Sequence, residues 1–217
     1  MKPIKQLLLL EYTLEMRNKA SLQGVLLYLI ATIFLVYIAF QRISNPTLWN
    51  TLFWIILLFA IANAFSRSFH FIEKNKQLYW YTLLSAQHII IARLLYSIVF
   101  SWSISAIAFP LYSILLGFPV ESPFYFLLIL LLGSAALAQL FTFVASVAAK
   151  ATTGSNLTIV LALPILFPVL IAILKASKNA VIGLDWNVNG KYILFLLLFN
   201  ILIYSLSYLL FPYLWKN

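Results

Sequence analysis

Six long apolar runs divide this chain, and they constrain its fold more than any other feature. The runs lie at about residues 22–40, 49–69, 89–116, 124–149, 156–174 and 192–214. Each approaches or exceeds the roughly 20 residues that a helix needs to cross the hydrocarbon core of a bilayer. Because lipid offers backbone amides no water, only helices and closed barrels can span it. The pattern predicts an all-α polytopic membrane protein with six transmembrane helices in a single domain, residues 1–217.

Composition agrees with a chain that faces lipid. Hydrophobic residues make up 64% of the sequence and charged residues 9%, whereas a soluble domain carries roughly a quarter charged residues. The length leaves no room for a soluble enzyme module beside the spans. The net charge of +9 indicates basic loops near anionic headgroups of the bilayer and no nucleic-acid partner. Cysteine is absent, which excludes disulfides, thiolate nucleophiles and iron–sulfur clusters.

The distribution of basic residues predicts the orientation. With the N-terminus inside, ten Lys and Arg residues lie on the cytoplasmic side, and the other four, Arg42, Lys175, Lys178 and Lys191, lie outside. Basic residues favour the cytoplasmic loops. Both termini are therefore expected in the cytoplasm.

Residues 4–19 precede the first span and have a helical pattern of their own. Charged positions recur every four residues on one face, and leucines occupy an adjacent face. These positions are Glu11, Glu15 and Lys19 on the first face and Leu7, Leu10 and Leu14 on the second. The pattern favours an interfacial helix in the headgroup plane over a cytosolic extension of the first span.

The polar residues inside the predicted spans are almost all uncharged. A proton- or sodium-coupled transporter needs titratable or coordinating groups near the midplane, so this class is disfavoured. In span four, small residues repeat every four positions at Ser134, Ala138, Thr142 and Ser146. Such a stripe favours close helix packing in lipid over a substrate path.

Two prolines, Pro164 and Pro168, fall in the middle of span five. Each removes a backbone hydrogen bond and bends a helix. A bent packing element and a hinge or broken helix that shapes a cavity are both compatible with this pair.

Motifs for catalysis are missing from the sequence. There is no glycine-rich nucleotide loop, no carboxylate pair and no zinc-protease or serine-elbow motif. The only histidines, His70 and His88, are more typical of surface residues than of a metal or haem site. The chain is therefore predicted to be neither an enzyme nor a metal-binding protein, with no bound cofactor of its own.

Residues 70–88 form the longest polar interruption between spans. Its ends are charged, and its middle, LYWYTLL at 78–84, is apolar and aromatic but too short to cross a membrane. An interfacial aromatic belt explains this pattern. A coupling helix that docks into a cytoplasmic partner explains it equally well. The candidate contact residues are Glu73, Leu78, Tyr79, Trp80, Tyr81, Leu83 and Leu84.

The order and spacing of several short stretches resemble a known family. They include LLLLEYTLEMR at 7–17, the segment 71–93 that closes on Ala-Arg-Leu, LLGFP at 115–119, LGSAA at 132–136 and LPILFPVLI at 163–171. With the N-terminal helix, six spans and a loop helix after span two, the chain resembles ABC-2-type permeases. Within that class it is similar to the heme exporter protein B (CcmB) family.

The resemblance implies a bacterial inner-membrane subunit of the cytochrome c maturation system, with residues 70–88 as the coupling helix. Its implied partners are a CcmA-like ATP-binding subunit, a haem-handling CcmC-like subunit and a small CcmD-like subunit, with two copies of this chain per complex. Haem would be a possible substrate of the complex, which would use ATP to export haem or release a haem-loaded chaperone. The alternative is an ABC-2 permease that exports a drug, lipid or polysaccharide.

Overall fold

The computed structural model describes residues 6–11, 13, 19–65, 86–148, 156–184 and 186–216. Residues 6–11 are helical. Six longer helices follow: α1 (Lys19–Phe40), α2 (Pro46–Phe65), α3 (Ala86–Leu116), α4 (Pro123–Ala148), α5 (Asn156–Val181) and α6 (Trp186–Lys216). All six are long and apolar enough to cross a membrane. The prediction of an all-α protein with six membrane spans is confirmed.

Local sequence explains where α2 begins. Its first residue is Pro46, whose fixed φ suits the first helical position. The Oδ1 of Asn45 accepts hydrogen bonds from the backbone amides of Thr47 and Leu48, at 2.9 and 3.2 Å. Asn45 therefore caps α2 and satisfies two amides that have no partner within the helix.

Short loops join the helices at one end of the bundle. This short-loop end consists of residues 41–45, 117–122 and 182–185. The amide of Ile43 donates to the carbonyl of Leu116 at 3.1 Å, and the amide of Glu121 donates to that of Val181 at 3.2 Å. These backbone bonds tie the three loops to one another. Helices α2 and α4 end, and α3 and α5 begin, at the opposite end of the bundle.

Helix α4 is the centre of the bundle and packs against α2, α3, α5 and α6. Every residue from Gly133 to Ser146 is buried. A helix that is buried on all sides needs small residues where neighbours approach closely. A Cβ added at Gly133 would lie 2.9 Å from Trp54 and 3.2 Å from Ile173, so glycine lets α2 and α5 approach α4.

The boundaries of spans five and six differ from the sequence prediction. Span five was expected to end at Leu174, but α5 continues to Val181; span six was expected to begin at Tyr192, but α6 begins at Trp186. The lysines that suggested a long loop fit a helix near a membrane boundary, because their side chains can extend toward water. Lys178 also lies in the last turn of α5, where a cation stabilises the helix dipole.

Candidate functional site

The predicted coupling contact lies outside the described residues. Glu73 and the positions from Leu78 to Leu84 belong to the segment 66–85, and His70 lies there too. Their contact with a partner stays a prediction. On either side of this segment, α2 ends at Phe65 and α3 begins at Ala86.

The N-terminal helical residues pack against the start of α3, next to that segment in sequence. Leu7 is buried, whereas Leu9 is 57% exposed. The Oε1 of Glu11 lies 4.0 Å from the Nε of Arg93, and the two side chains are 20% and 11% exposed. The sequence predicts Glu11 on the charged face of an interfacial helix. In the structure its carboxylate faces Arg93 of α3, and the position of this helix in the headgroup plane stays a prediction.

The four small residues of the predicted packing stripe all lie in the buried part of α4. Ser134, Thr142 and Ser146 are at most 3% exposed, and Ala138 is fully buried. The hydroxyls of Ser134 and Ser146 bond to carbonyls of their own helix, at 3.3 and 2.6 Å. These two hydroxyls therefore bond within α4. The role of the four residues in packing between helices remains a prediction.

The two predicted hinge residues lie on the outer surface. Pro164 and Pro168 are exposed, as is Phe167 between them. Helix α5 runs through both prolines from Asn156 to Val181. The pair therefore lies on the face that points away from the bundle interior, and whether it acts as a hinge remains a prediction.

A pair of amide side chains joins α4 to α6 in the middle of the spans. The Nε2 of Gln139 donates to the Oδ1 of Asn200 at 2.6 Å. The Nδ2 of Asn200 in turn donates to the carbonyls of Leu132 and Leu196, at 3.2 and 2.7 Å. Both residues are recognisable in the sequence as polar groups within spans, but sequence reasoning did not pair them.

An aromatic cluster fills the interior toward the short-loop end. It consists of Trp49, Phe53, Trp54, Phe109, Tyr112 and Phe126, with neighbouring ring centroids 5.1–6.0 Å apart. Sequence reasoning missed this cluster, because its members come from three different helices.

The polar atoms of the aromatic cluster bond across the bundle. The Nε1 of Trp49 donates to the carbonyl of Gly117, and the Nε1 of Trp54 donates to the hydroxyl of Ser177, each at 2.9 Å. The Tyr112 hydroxyl donates to the carbonyl of Trp49 at 2.9 Å. Buried Trp and Tyr normally find such partners. These bonds hold α2, α3 and α5 together at this end.

Within the described ranges, no group of three or more His, Asp or Glu residues could hold a metal ion. His88 lies half-buried in the first turn of α3. The described residues thus offer helix packing and hydrogen bonding within the membrane.

A family model described as CcmB protein matches residues 2–211, a range that includes all but the last turn of the helical bundle. The chain belongs to the CcmB protein family. No curated protein matches the chain in a sequence search.

Membership in the CcmB family gives the six-helix bundle its functional class. Proteins of this family are heme exporter permease subunits of the ABC transporter type, with CcmA-like ATPase partners. Proteins of this family take part in heme transport and cytochrome c biogenesis. The chain is accordingly a multi-pass membrane protein and a permease subunit.

Proposed function

We propose that this CcmB-family chain is the membrane-spanning subunit of an ABC transporter complex for cytochrome c maturation. In this complex, ATP hydrolysis by a CcmA-like partner drives haem export or the release of a haem-loaded chaperone. The observation that carries the proposal is the family match over residues 2–211, which includes α1 to α5 and most of α6. The chain acts by changing conformation, and the partner supplies the energy.

The segment 70–88 is the proposed docking site for the ATPase. Residues 66–85 connect α2 to α3, so a force on this segment acts directly on two membrane helices. Its aromatic and leucine side chains, Tyr79, Trp80 and Leu83 among them, have the character of interface anchors. The pairing of Glu11 with Arg93 supports this placement, because it holds the N-terminal helix beside the start of α3.

The orientation proposed from the basic residues places both termini and the segment 66–85 in the cytoplasm of a bacterial cell, with the protein in the inner membrane. The short-loop end then faces outward. A CcmC-like subunit, a small CcmD-like subunit and a second copy of this chain are the proposed membrane partners. In this proposal the small residues of α4 serve packing, and Pro164 and Pro168 permit α5 to bend.

Haem staining tests the proposed function. The gene is deleted in its host, membrane proteins are separated by electrophoresis, and c-type cytochromes are detected by the peroxidase activity of their covalently bound haem. The proposal predicts loss of all c-type bands and their return when the intact gene is supplied on a plasmid. Intact bands in the deletion strain would contradict it and favour the alternative, export of a drug, lipid or polysaccharide.

A further inference from the structure

Helices α4 and α6 pack along a seam with alternating three- and four-residue spacing. Both begin at the short-loop end, so they run parallel. Continuing this spacing in both directions from the Gln139–Asn200 hydrogen bond assigns to the seam Leu132, Ala135, Gln139, Thr142 and Ser146 on α4 and Ile193, Leu196, Asn200, Ile203 and Ser207 on α6. This spacing is that of a left-handed parallel helix pair. The Gln139–Asn200 hydrogen bond sets the register, which places Ser146 opposite Ser207.

Three buried polar atoms on this seam have no hydrogen-bond partner among the described residues. They are the Oε1 of Gln139, the Oγ1 of Thr142 and the Oγ of Ser207. Gln139 is 2% exposed, and Thr142 and Ser207 are fully buried. Leaving a buried polar atom without a hydrogen-bond partner destabilises the folded state. Three such atoms on one seam would be a substantial cost for a contact between only two helices.

The nearest polar side chains on the seam are already engaged. The Ser146 hydroxyl, opposite Ser207, already donates to the carbonyl of Phe143 at 2.6 Å. Both amide protons that Asn200 can donate go to backbone carbonyls. The Oε1 of Gln139 needs a donor, whereas the hydroxyls of Thr142 and Ser207 can both donate and accept. A small molecule that both donates and accepts can satisfy each of these atoms.

We propose that the seam between α4 and α6 binds water within the membrane, at the level of Gln139 and Thr142 and again at Ser207. Water has the size and the two-way hydrogen bonding that these fully buried groups require, and a buried water typically makes two to four such bonds. An apolar cluster of Ile90, Leu94, Ala145 and Phe211 lies beside the seam toward the opposite end. A hydrated seam lets α6 loosen from α4 without leaving polar groups unpaired in lipid.

The natural lack of cysteine makes the proposal directly testable, because each introduced thiol is the only one in the chain. Thr142→Cys and Ser207→Cys place a thiol of similar size at two seam positions. Ala145→Cys is the matched control: Ala145 is 3% exposed and lies at a similar depth, but in the apolar cluster. Lys178→Cys, at an exposed position near the short-loop end, serves as the positive control for the reagent.

Each purified variant, in lipid nanodiscs, is treated with N-ethylmaleimide and followed by intact mass. A thiol reacts as its thiolate, which forms only where water or another polar group solvates it. We expect the thiols at 142 and 207 to react about tenfold faster than the thiol at 145, though more slowly than the one at 178. The two seam positions are independent tests. If a folded seam variant reacts no faster than Ala145→Cys, the proposal is overturned.

Discussion

The carboxylate of Glu11 and the guanidinium of Arg93 face each other at 4.0 Å, which links the N-terminal helical residues to the first turns of α3. Both side chains are largely shielded, with 20% and 11% exposed. The pair therefore attaches the N-terminal helix to α3, the helix that follows in sequence the segment that we propose to bind the ATPase. Its strength is that of a partly exposed ion pair, about 1 kcal/mol or less.

Reversing one charge of this pair is expected to release the N-terminal helix. Glu11→Arg or Arg93→Glu places like charges together, and exposure of the tryptic sites at Arg17 and Lys19 should rise about fivefold, as expected for about 1 kcal/mol. Trypsin digestion followed by mass spectrometry measures the rate of cleavage. The double variant restores opposite charges and should return the rate toward that of the natural protein. Glu121→Arg, at the short-loop end, is the control. A double variant that is cleaved as fast as the single variants would argue against the Glu11–Arg93 pair.

Replacing Asn200 should weaken the contact between α4 and α6. Asn200→Leu removes the acceptor of the Gln139 amide and leaves that buried group without its partner. The expected loss is about 1–2 kcal/mol, the value that model peptides give for a side-chain hydrogen bond between membrane helices. Unfolding in mixed detergent micelles measures it. Leu202→Ala, at an exposed position of the same helix, should change stability by much less.

The six spans were predictable because the bilayer imposes a length and a polarity on each helix. The end of α5 and the beginning of α6 were not predictable, because Lys175, Lys178 and Asn189 suit a loop and the terminus of a membrane helix equally. The Nδ2 of Asn189 in fact donates to the carbonyl of Leu184 at 3.2 Å, beside the tight turn between the two helices. Such a bond depends on how the turn folds, which hydropathy does not report.

The polar residues of the spans illustrate the same limit. Hydropathy located Gln139 and Asn200 in the membrane but could not pair them, because their meeting depends on which helices are neighbours. The aromatic cluster around Trp49 was also missed, since Tyr and Trp near a span end ordinarily indicate an interfacial belt. Trp49 is instead fully buried. The family, by contrast, was recognisable from the order of short stretches along the chain, and the family match confirms it.

Two glycines should respond in opposite ways to alanine. Gly183 has a φ of +75° and packs against the Glu121 carboxylate, so Gly183→Ala should cost about 1–2 kcal/mol or more. Gly24 lies within α1 with open space around it, so Gly24→Ala should stabilise by roughly 0.5–1 kcal/mol. Thermal unfolding in detergent measures both. Adding Glu121→Ala to Gly183→Ala should recover part of the loss, because it removes the contact but not the backbone strain. Equal changes in stability for Gly183→Ala and Gly24→Ala would contradict this prediction.

The orientation makes a prediction about labelling in right-side-out spheroplasts. Lys178→Cys lies near the short-loop end and should react with a membrane-impermeant maleimide added from outside. Thr13→Cys, an exposed position in the N-terminal segment, should react only after the membrane is permeabilised. The absence of natural cysteines keeps the background low. The reverse pattern would place the N-terminus outside and would put segment 66–85 out of reach of a cytoplasmic ATPase.

Docking of the ATPase through residues 70–88 is the centre of the account, and co-purification measures it most directly. The tagged chain is isolated in mild detergent from cells that express the CcmA-like subunit of the same organism, and the amount of bound ATPase is determined. The test variant changes Tyr79, Trp80 and Leu83 to Asp. The control changes Phe118, Phe124 and Trp186, exposed aromatics at the short-loop end, to Asp. We predict that the test variant loses the ATPase while the control retains it; undiminished ATPase binding by the test variant would contradict the account.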